Sequence, residues 1–313
     1  MEGYEILGFL LILRESMKAI SKNGKLIATI TTISILLNSL VLFAESFSTK
    51  PAISDFRLRE YYLNLPNKRP SNYVDAAQKM MKDAQIIDGL ELLYLLPSIA
   101  VFLFSTVTMI LASVVAYSDK NLSFRDFLPR IPKLCLRTLV TSFYLQLLTL
   151  GYIVVFLAFL ISIMILNMDH PLVLKPIAIT LGIFALIFLM YLTVAWHMAL
   201  VISVIDKSYY GLEALGKAGR LVKGRRVHGL ALSLLYTVLM VIITWVSSNP
   251  KSVSMMIICG SFATVLNCLV TMVYFMSYTV LYFQCKKTHG EEIDLDGNML
   301  EEYTKIPQQE DVV

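Results

Sequence analysis

The sequence has little charge and few of the residues on which catalysis and metal binding depend. Only 16% of its 313 residues are Asp, Glu, Lys or Arg, and it contains four cysteines and four histidines. Soluble domains carry about 25% charged residues. The sequence has no His-Glu-x-x-His pair, phosphate-cradling Gly loop, nucleophile elbow or metal-ligand cluster. It therefore predicts no metal and no cofactor, and it assigns no catalytic residue.

The chain does have long apolar stretches. Apolar residues make up 57% of the sequence, and six uncharged stretches approach or exceed the ~20 residues that a helix needs to cross a bilayer. A helix satisfies its own backbone hydrogen bonds, as the hydrocarbon core requires. A β-barrel would instead alternate in segments of about 10 residues, and the sequence lacks that pattern. We therefore predict an all-α membrane protein with six transmembrane helices, at about 26–46, 91–117, 138–167, 176–205, 229–249 and 253–284.

Lys and Arg are distributed unevenly between the connections, which predicts the orientation of the chain. The 119–137 connection carries five and the 206–228 connection six, whereas the two short turns on the other side carry one each. Short basic loops stay in the cytosol. Both termini are therefore predicted to be cytosolic, in the endoplasmic reticulum or plasma membrane. Residues 46–90 become an external loop that Pro51 interrupts and that includes a short helix at Asp75–Ile87.

A basic segment with helical periodicity precedes each odd-numbered span, within residues 1–25, 123–137 and 211–222. In the third segment Leu212, Leu215 and Ala218 share one face, while Glu213 and Lys217 lie opposite as an i,i+4 pair. A helix of this kind lies in the membrane interface. The pattern predicts three hairpins, each preceded by a cytosolic amphipathic interfacial helix. The basic residues expected to face anionic headgroups are Arg130, Lys133, Arg137, Lys217, Arg220, Lys223, Arg225 and Arg226.

Polar side chains at membrane depth are costly and often mark functional sites. His197, late in span four, is the main candidate for a proton relay or ligand group, but we favour a hydrogen bond to a neighbouring helix. Glu45 and Glu91, at the external ends of spans one and two, are the other catalytic candidates, although solvated carboxylates are commoner there. Three tyrosines share one face of span six, which is typical of packing or an interfacial belt: Tyr274, Tyr278 and Tyr282. Four amides are expected to join helices by hydrogen bonds: Asn38, Gln146, Asn267 and Gln284.

The six-helix domain is predicted to span residues 26–285 and to be followed by a cytosolic tail. The 286–313 segment carries eight acidic residues and three lysines and has no apolar period, so we predict that it is disordered. Cys285, at the membrane edge, is a palmitoylation candidate, although an ordinary small apolar role is commoner. Tyr303 and Ile306 form the tyrosine-x-x-apolar pattern that sorting adaptors bind.

Three groups of segments carry a resemblance to a known family. They are Leu7-Gly8-Phe9 with Arg14-Glu15-Ser16 and Lys18-Ala19-Ile20, Tyr117–Phe124 with Ile131-Pro132-Lys133, and Gly211–Leu215 with Leu221–Gly224. Over nearly its whole length the chain resembles a plant family of six-span membrane proteins of mostly unassigned function, some labelled polyadenylate-binding-protein-binding-like. The third group is also distantly similar to the membrane domain of some bacterial glycerophosphodiester phosphodiesterases. The resemblance implies an integral endomembrane or plasma-membrane protein and transfers no catalytic residue.

Three functions remain open, in the order in which the sequence favours them. The first is a non-catalytic scaffold or regulatory component that contacts anionic lipid headgroups and protein partners through its cytosolic loops and tail, with no nucleic acid. The second is a transporter or lipid-handling protein for a small apolar or amphipathic molecule, although transporters usually show Gly- or Pro-broken spans. The third is a membrane-embedded enzyme of the isomerase or cyclase type that acts on an apolar metabolite.

Overall fold

The computed structural model describes residues 2–63, 73–118, 131–166, 171–206, 208–247 and 253–289. Every regular element in these ranges is a helix. The eight helices are α1 (Glu2–Lys22), α2 (Gly24–Leu63), α3 (Tyr73–Ser118), α4 (Ile131–Leu166), α5 (Pro171–Ile205), α6 (Leu212–Leu221), α7 (Arg226–Ser247) and α8 (Val253–Thr288). Six of them, all except α1 and α6, are long and apolar enough to cross a membrane. The predicted all-α fold with six spans is therefore confirmed.

The described parts of the expected external loop are helical. Helix α2 continues through Pro51 to Leu63, and α3 begins at Tyr73. Proline removes one helical hydrogen bond at a cost of about 3 kcal/mol, which a helix of 40 residues can absorb. The basic segment before span three also differs from expectation, because its described part, residues 131–137, forms the first turns of α4. Arg130, Tyr303 and Ile306 lie outside the described residues.

The break between α1 and α2 is fixed by a contact with a distant helix. Asn23 separates the two helices, and Gly24, a poor helix former, follows it. The side-chain amide of Asn23 donates to the backbone carbonyl of Ala116, near the end of α3, at 3.2 Å. This bond ties the junction of α1 and α2 to the end of α3.

The chain divides into two compact units, and the first comprises residues 1–30, 106–239 and 270–313. Its core consists of the C-terminal parts of three spans, at 106–116 in α3, 194–205 in α5 and 272–285 in α8, where nearly every side chain is buried. Burial on all faces of a helix means that other helices surround it. Large residues fill this core, among them Met109, Ile110, Met198, Ile202, Met276 and Tyr278.

The second unit comprises residues 31–105 and 240–269. Within it α2 and α3 run antiparallel. The Asn38 amide donates to Ser105 Oγ at 3.3 Å, and the hydroxyls of Ser48 and Tyr94 hydrogen-bond at 2.7 Å. The expectation that Asn38 joins two helices is thus confirmed.

The outer faces of the spans expose large apolar side chains. On α4, α5 and α7 these include Phe143, Phe159, Phe184, Val241 and Trp245, each more than half exposed. Apolar surface of this extent is unusual on a soluble monomer, and it suits contact with acyl chains. Both the exposed apolar faces and the lengths of the six helices are those expected of membrane spans.

Candidate functional site

Basic side chains collect at one end of the first unit, where α1 and α6 lie. We call this region the basic end. It comprises α1, α6, the 222–225 turn and the first turns of α4 and α7, and it carries Lys133, Arg137, Lys217, Arg220, Lys223, Arg225 and Arg226. Only some of these residues are free to meet a partner, because the fold uses the others.

The position of α6 is set by the residue before its first turn. Gly211 has φ 61°, in the left-handed region that favours glycine. Its N–H donates to Thr141 Oγ1 on α4 at 2.9 Å. A β-carbon here would lie 3.4 Å from the Tyr144 ring, so glycine also allows the backbone to approach α4. Helix α6 therefore starts at a fixed point on the α4 surface.

The inner face of α6 is made of small apolar residues. Ala214 and Ala218 are completely buried, and the helix packs against both α4 and α5. Leu215 packs against a cluster that contains Leu145 and Trp196. Small side chains four residues apart let the helix approach its neighbours closely. Helix α6 is thus attached to the protein along this face.

Lys217 forms an ion pair within the fold. Its Nζ lies 2.8 Å from Asp206 Oδ2 and 4.3 Å from the centroid of the Tyr209 ring, and the side chain is only 12% exposed. The structure thus pairs Lys217 with Asp206, a partner that neither the expected i,i+4 pairing with Glu213 nor the expected headgroup contact included. The reason is that Asp206 directly follows α5 and lies on the side toward which the lysine packs, whereas Glu213 is exposed.

A polar network connects α1 to α8 and to the start of α7. Arg225 Nη1 donates to Gln284 Oε1 at 2.7 Å, and Gln284 Nε2 donates to Glu15 Oε2 at 3.0 Å. The Tyr117 ring, at the end of α3, stacks beside this network on Phe283, with centroids 4.9 Å apart. Gln284 therefore joins helices as expected, and Arg225 binds within the protein.

The remaining basic side chains point outward. Lys133, Arg220, Lys223 and Arg226 are exposed. The turn that carries Lys223 depends on Gly224, whose φ is 113°. The Arg226 guanidinium lies 5.1 Å from the centroid of the Tyr191 ring, a distance suited to a cation–π interaction. Arg137, by contrast, is partly buried.

His197 lies in a packed aromatic cluster between α5, α7 and α8. Its Nδ1 is 2.7 Å from the backbone carbonyl of Thr193, and because a carbonyl only accepts, Nδ1 carries the proton. The hydrogen bond is thus made within α5 and not to a neighbouring helix as expected. The ring meets Tyr274 edge-on, with centroids 4.9 Å apart, and Tyr236 stacks on Tyr274 at 4.1 Å.

The hydroxyl groups of this cluster are hydrogen-bonded to α7. Tyr278 is 2.6 Å from Ser233 Oγ and donates to the Gly229 carbonyl at 3.1 Å. A β-carbon on Gly229 would lie 2.5 Å from Val194 Cγ1, so α7 and α5 approach closely here. The span-six tyrosines serve packing, as the sequence suggested, and Tyr282 is also completely buried.

The other candidate residues do not assemble into a site. The Ser48–Tyr94 contact places Glu91 level with about residue 51, roughly 9 Å along the helix axes from Glu45. The two carboxylates are therefore offset along the helices and do not face each other at the same level. Cys285 is 1% exposed, which removes the access that acylation needs. In the part of the chain that the structure describes, no three His, Cys, Asp or Glu side chains are placed to hold a metal ion.

Sequence reasoning missed the acidic partners of the basic end. Glu15 lies on the same side of α1 as Ser16 and Ile12, which are completely buried. An acidic residue beside buried neighbours signals an internal partner, but the sequence carries only part of this signal, because it does not show that Ser16 is buried. Asp206 left no comparable signal, because its role depends on where α6 packs.

Six membrane-spanning helices and a tightly packed basic end define an all-α, multi-pass membrane protein. Within this class the chain belongs to the family described as "Domain of unknown function (DUF8558)", whose model matches residues 1–309. No curated protein and no solved structure gives a significant match.

Proposed function

We propose that this protein is a non-catalytic scaffold or regulatory component of the endoplasmic reticulum or plasma membrane that binds anionic lipid headgroups at its basic end. One observation carries the proposal. Helix α6 is fixed along its inner face by Thr141, Asp206 and its own buried alanines, while Arg220 and Lys223 remain exposed.

A fixed helix presents its charges without first having to be ordered. Binding by a flexible segment costs about 0.5–1.5 kcal/mol for each long side chain that becomes immobilised, and more for the backbone. A basic residue near an anionic membrane surface contributes about 1 kcal/mol. Four exposed basic side chains, Lys133, Arg220, Lys223 and Arg226, therefore give a sizeable preference for anionic lipid.

The proposal includes an orientation and a set of partners. The positive-inside rule places the basic end and both termini in the cytosol, where leaflets carry anionic lipids. The acidic 286–313 segment is the proposed contact for protein partners with basic surfaces. The resemblance to a plant six-span family, and more distantly to the membrane domain of bacterial phosphodiesterases, is consistent with a membrane role that requires no catalytic residue.

The alternatives draw less support from the site. An enzyme that used His197 would need room for a substrate beside the ring, and three tyrosine rings pack against it. Untargeted metabolite profiling of cells with and without the protein separates the three functions. A product isomer that depends on the protein would indicate an enzyme, and redistribution of an unchanged compound would indicate transport. The scaffold proposal predicts neither change.

The headgroup preference can be measured directly. The full-length protein is reconstituted in nanodiscs that contain phosphatidylcholine and phosphatidylserine, and native mass spectrometry measures which lipid it retains. Arg220→Gln with Lys223→Gln removes two outward charges, worth about 2 kcal/mol, so the preference for phosphatidylserine falls about 30-fold. High salt has a similar effect because the screening length shrinks to about 3 Å at 1 M.

A matched pair of substitutions provides the control. Lys79→Gln with Lys82→Gln removes the same charge from two exposed positions at the beginning of α3, and it leaves the preference unchanged. His197→Phe also leaves it unchanged. An equal loss in the Lys79/Lys82 variant, or no preference for phosphatidylserine in the unmodified protein, would show that the basic end is not the lipid site.

A further inference from the structure

Three buried polar atoms of the second unit have no hydrogen-bond partner among the described residues. They are the hydroxyls of Thr31 and Ser34 on α2 and Oδ1 of Asn267 on α8. Ser34 is completely buried and Thr31 is 6% exposed. Helical Ser and Thr usually donate to a carbonyl of the preceding turn, as Thr49 does to Glu45 at 2.9 Å. Thr31 and Ser34 do not, so their hydroxyls are available to another molecule.

The unpaired hydroxyls lie on the face of α2 that meets α3. Thr31, Ser34 and Asn38 are three and four residues apart, so they share one face of the helix. The Asn38 amide donates both to the Ser34 carbonyl at 2.8 Å and to Ser105 Oγ on α3 at 3.3 Å. That hydrogen bond directs this face of α2 toward α3 and away from lipid.

Asn267 lies at the same depth. A β-carbon on Gly260 would be 3.5 Å from Leu42 Cδ2, so α8 contacts α2 at that level. The first and sixth of six successive crossings run in opposite directions. Seven residues of helix advance about 10 Å along its axis. Asn267 is seven residues after Gly260 on α8, and Ile35 is seven residues before Leu42 on α2. Asn267 is therefore level with Ile35, one residue from Ser34.

The chemistry of these groups selects a neutral ligand. The two hydroxyls both donate and accept hydrogen bonds, and Asn267 Oδ1 accepts one. No charged residue occurs between Lys25 and Glu45 on α2 or within residues 253–285 of α8, so an ion would lack a counter-charge at membrane depth. The Cβ atoms of residues three apart are about 5–6 Å from each other. A single oxygen that makes two hydrogen bonds of about 2.8 Å spans such a gap.

We propose that α2, α3 and α8 form an intramembrane site in the second unit for a small neutral molecule that bears a hydroxyl group. Its oxygen bridges Ser34 and Thr31, and it donates to Asn267 Oδ1. Water and the alcohol group of a lipid-soluble compound have this chemistry in common. The site is separate from the basic end and does not depend on lipid binding there.

The direction in which Ser34→Ala shifts the unfolding midpoint tests the proposal. In Ser34→Ala the bound molecule loses a partner, so the unfolding midpoint of the full-length protein in nanodiscs formed with a native lipid extract falls by about 2 °C or more. The control is Ser113→Ala, which removes an equally buried hydroxyl that donates to the Met109 carbonyl of its own helix at 2.8 Å. We expect a smaller fall in the control. Asn267→Leu lowers the midpoint in the same direction as Ser34→Ala.

If no molecule occupies the site, Ser34→Ala does not lower the unfolding midpoint. Removing an unpaired buried hydroxyl relieves a desolvation penalty, so a midpoint that rises or stays unchanged in Ser34→Ala overturns the proposal, as does a fall no larger than that in Ser113→Ala. Removing the native lipids distinguishes bound water from a lipid-soluble alcohol. A destabilisation that persists in synthetic lipid identifies water, whereas one that returns only with a native lipid extract identifies a lipid-soluble alcohol. Either result supports the site.

Discussion

Gln284 shows what a single neutral side chain does in this protein. Its amide accepts from Arg225 at one atom and donates to Glu15 at the other, so it links two opposite charges that do not touch. The sequence indicates that Gln284 and Gln146 both join helices, since each is a polar residue in an apolar span. The sequence cannot distinguish the two glutamines, because Glu15, the partner of Gln284, lies 269 residues away in the chain. Gln146 is exposed on α4.

The two glutamines should therefore respond differently to the same substitution. Gln284→Leu leaves Glu15 and Arg225 without this partner in a partly buried site, which costs about 1–3 kcal/mol for each group. The unfolding midpoint of the protein in nanodiscs should fall by roughly 2–4 °C per kcal/mol. Gln146→Leu should change stability by less than about 0.5 kcal/mol. Equal destabilisation by both would contradict the network.

At the scale of the element, α6 combines a confirmed prediction with an incorrect one. The sequence predicted a helix over 211–222, and the structure has one at Leu212–Leu221, because the apolar periodicity is strong. The same pattern placed Leu212 on the apolar face, yet that side chain is 54% exposed. The fully buried part of the inner face is narrower than predicted and consists of Ala214, Ala218 and Leu221, beside the partly buried Leu215. A helical wheel shows which residues are neighbours but not how wide the covering surface is.

A double-mutant cycle distinguishes the two possible partners of Lys217. Asp206 and Lys217 are 2.8 Å apart and mostly buried, so the cycle of Asp206→Ala and Lys217→Ala should give a coupling energy of about 1 kcal/mol or more. The matched cycle of Glu213→Ala and Lys217→Ala should give a coupling of about 0 kcal/mol. Chemical unfolding of the full-length protein supplies the free energies. A larger coupling to Glu213 would restore the helical i,i+4 pair and refute the contact with Asp206.

At the scale of the whole molecule, the protein uses helices longer than a bilayer requires. Helices α3, α5 and α8 contain 46, 35 and 36 residues, whereas about 20 cross the hydrocarbon core. In the first unit their C-terminal parts are buried on nearly all faces. These parts form a core to which α1 is hydrogen-bonded and against which α6 packs. Composition signals the spans, but it does not show that their ends are covered by protein.

The orientation of the whole chain has a direct test. Pro66→Thr places a threonine two residues after Asn64 and so creates an Asn-x-Thr acceptor in the connection predicted to be external, while Asn121-Leu122-Ser123 is a natural acceptor in a basic connection. In a eukaryotic cell the variant should gain one endoglycosidase-sensitive glycan, since only lumenal sites are modified. Asn121→Gln should not alter mobility on a gel. A glycan at Asn121, with none at Asn64, would reverse the orientation and move the basic end out of the cytosol.

The sequence by itself determined the class, the six spans and the helix at 212–221, because length, hydropathy and helical periodicity are local properties of the chain. Only the tertiary structure decided which polar groups are used. It paired Lys217 with Asp206 and Arg225 with Gln284, left Arg220 and Lys223 outward, packed His197 among tyrosines and left Ser34 unpaired. Hydrogen bonds and ion pairs depend on distances of a few ångströms between distant parts of the chain. Those distances follow from how the helices pack.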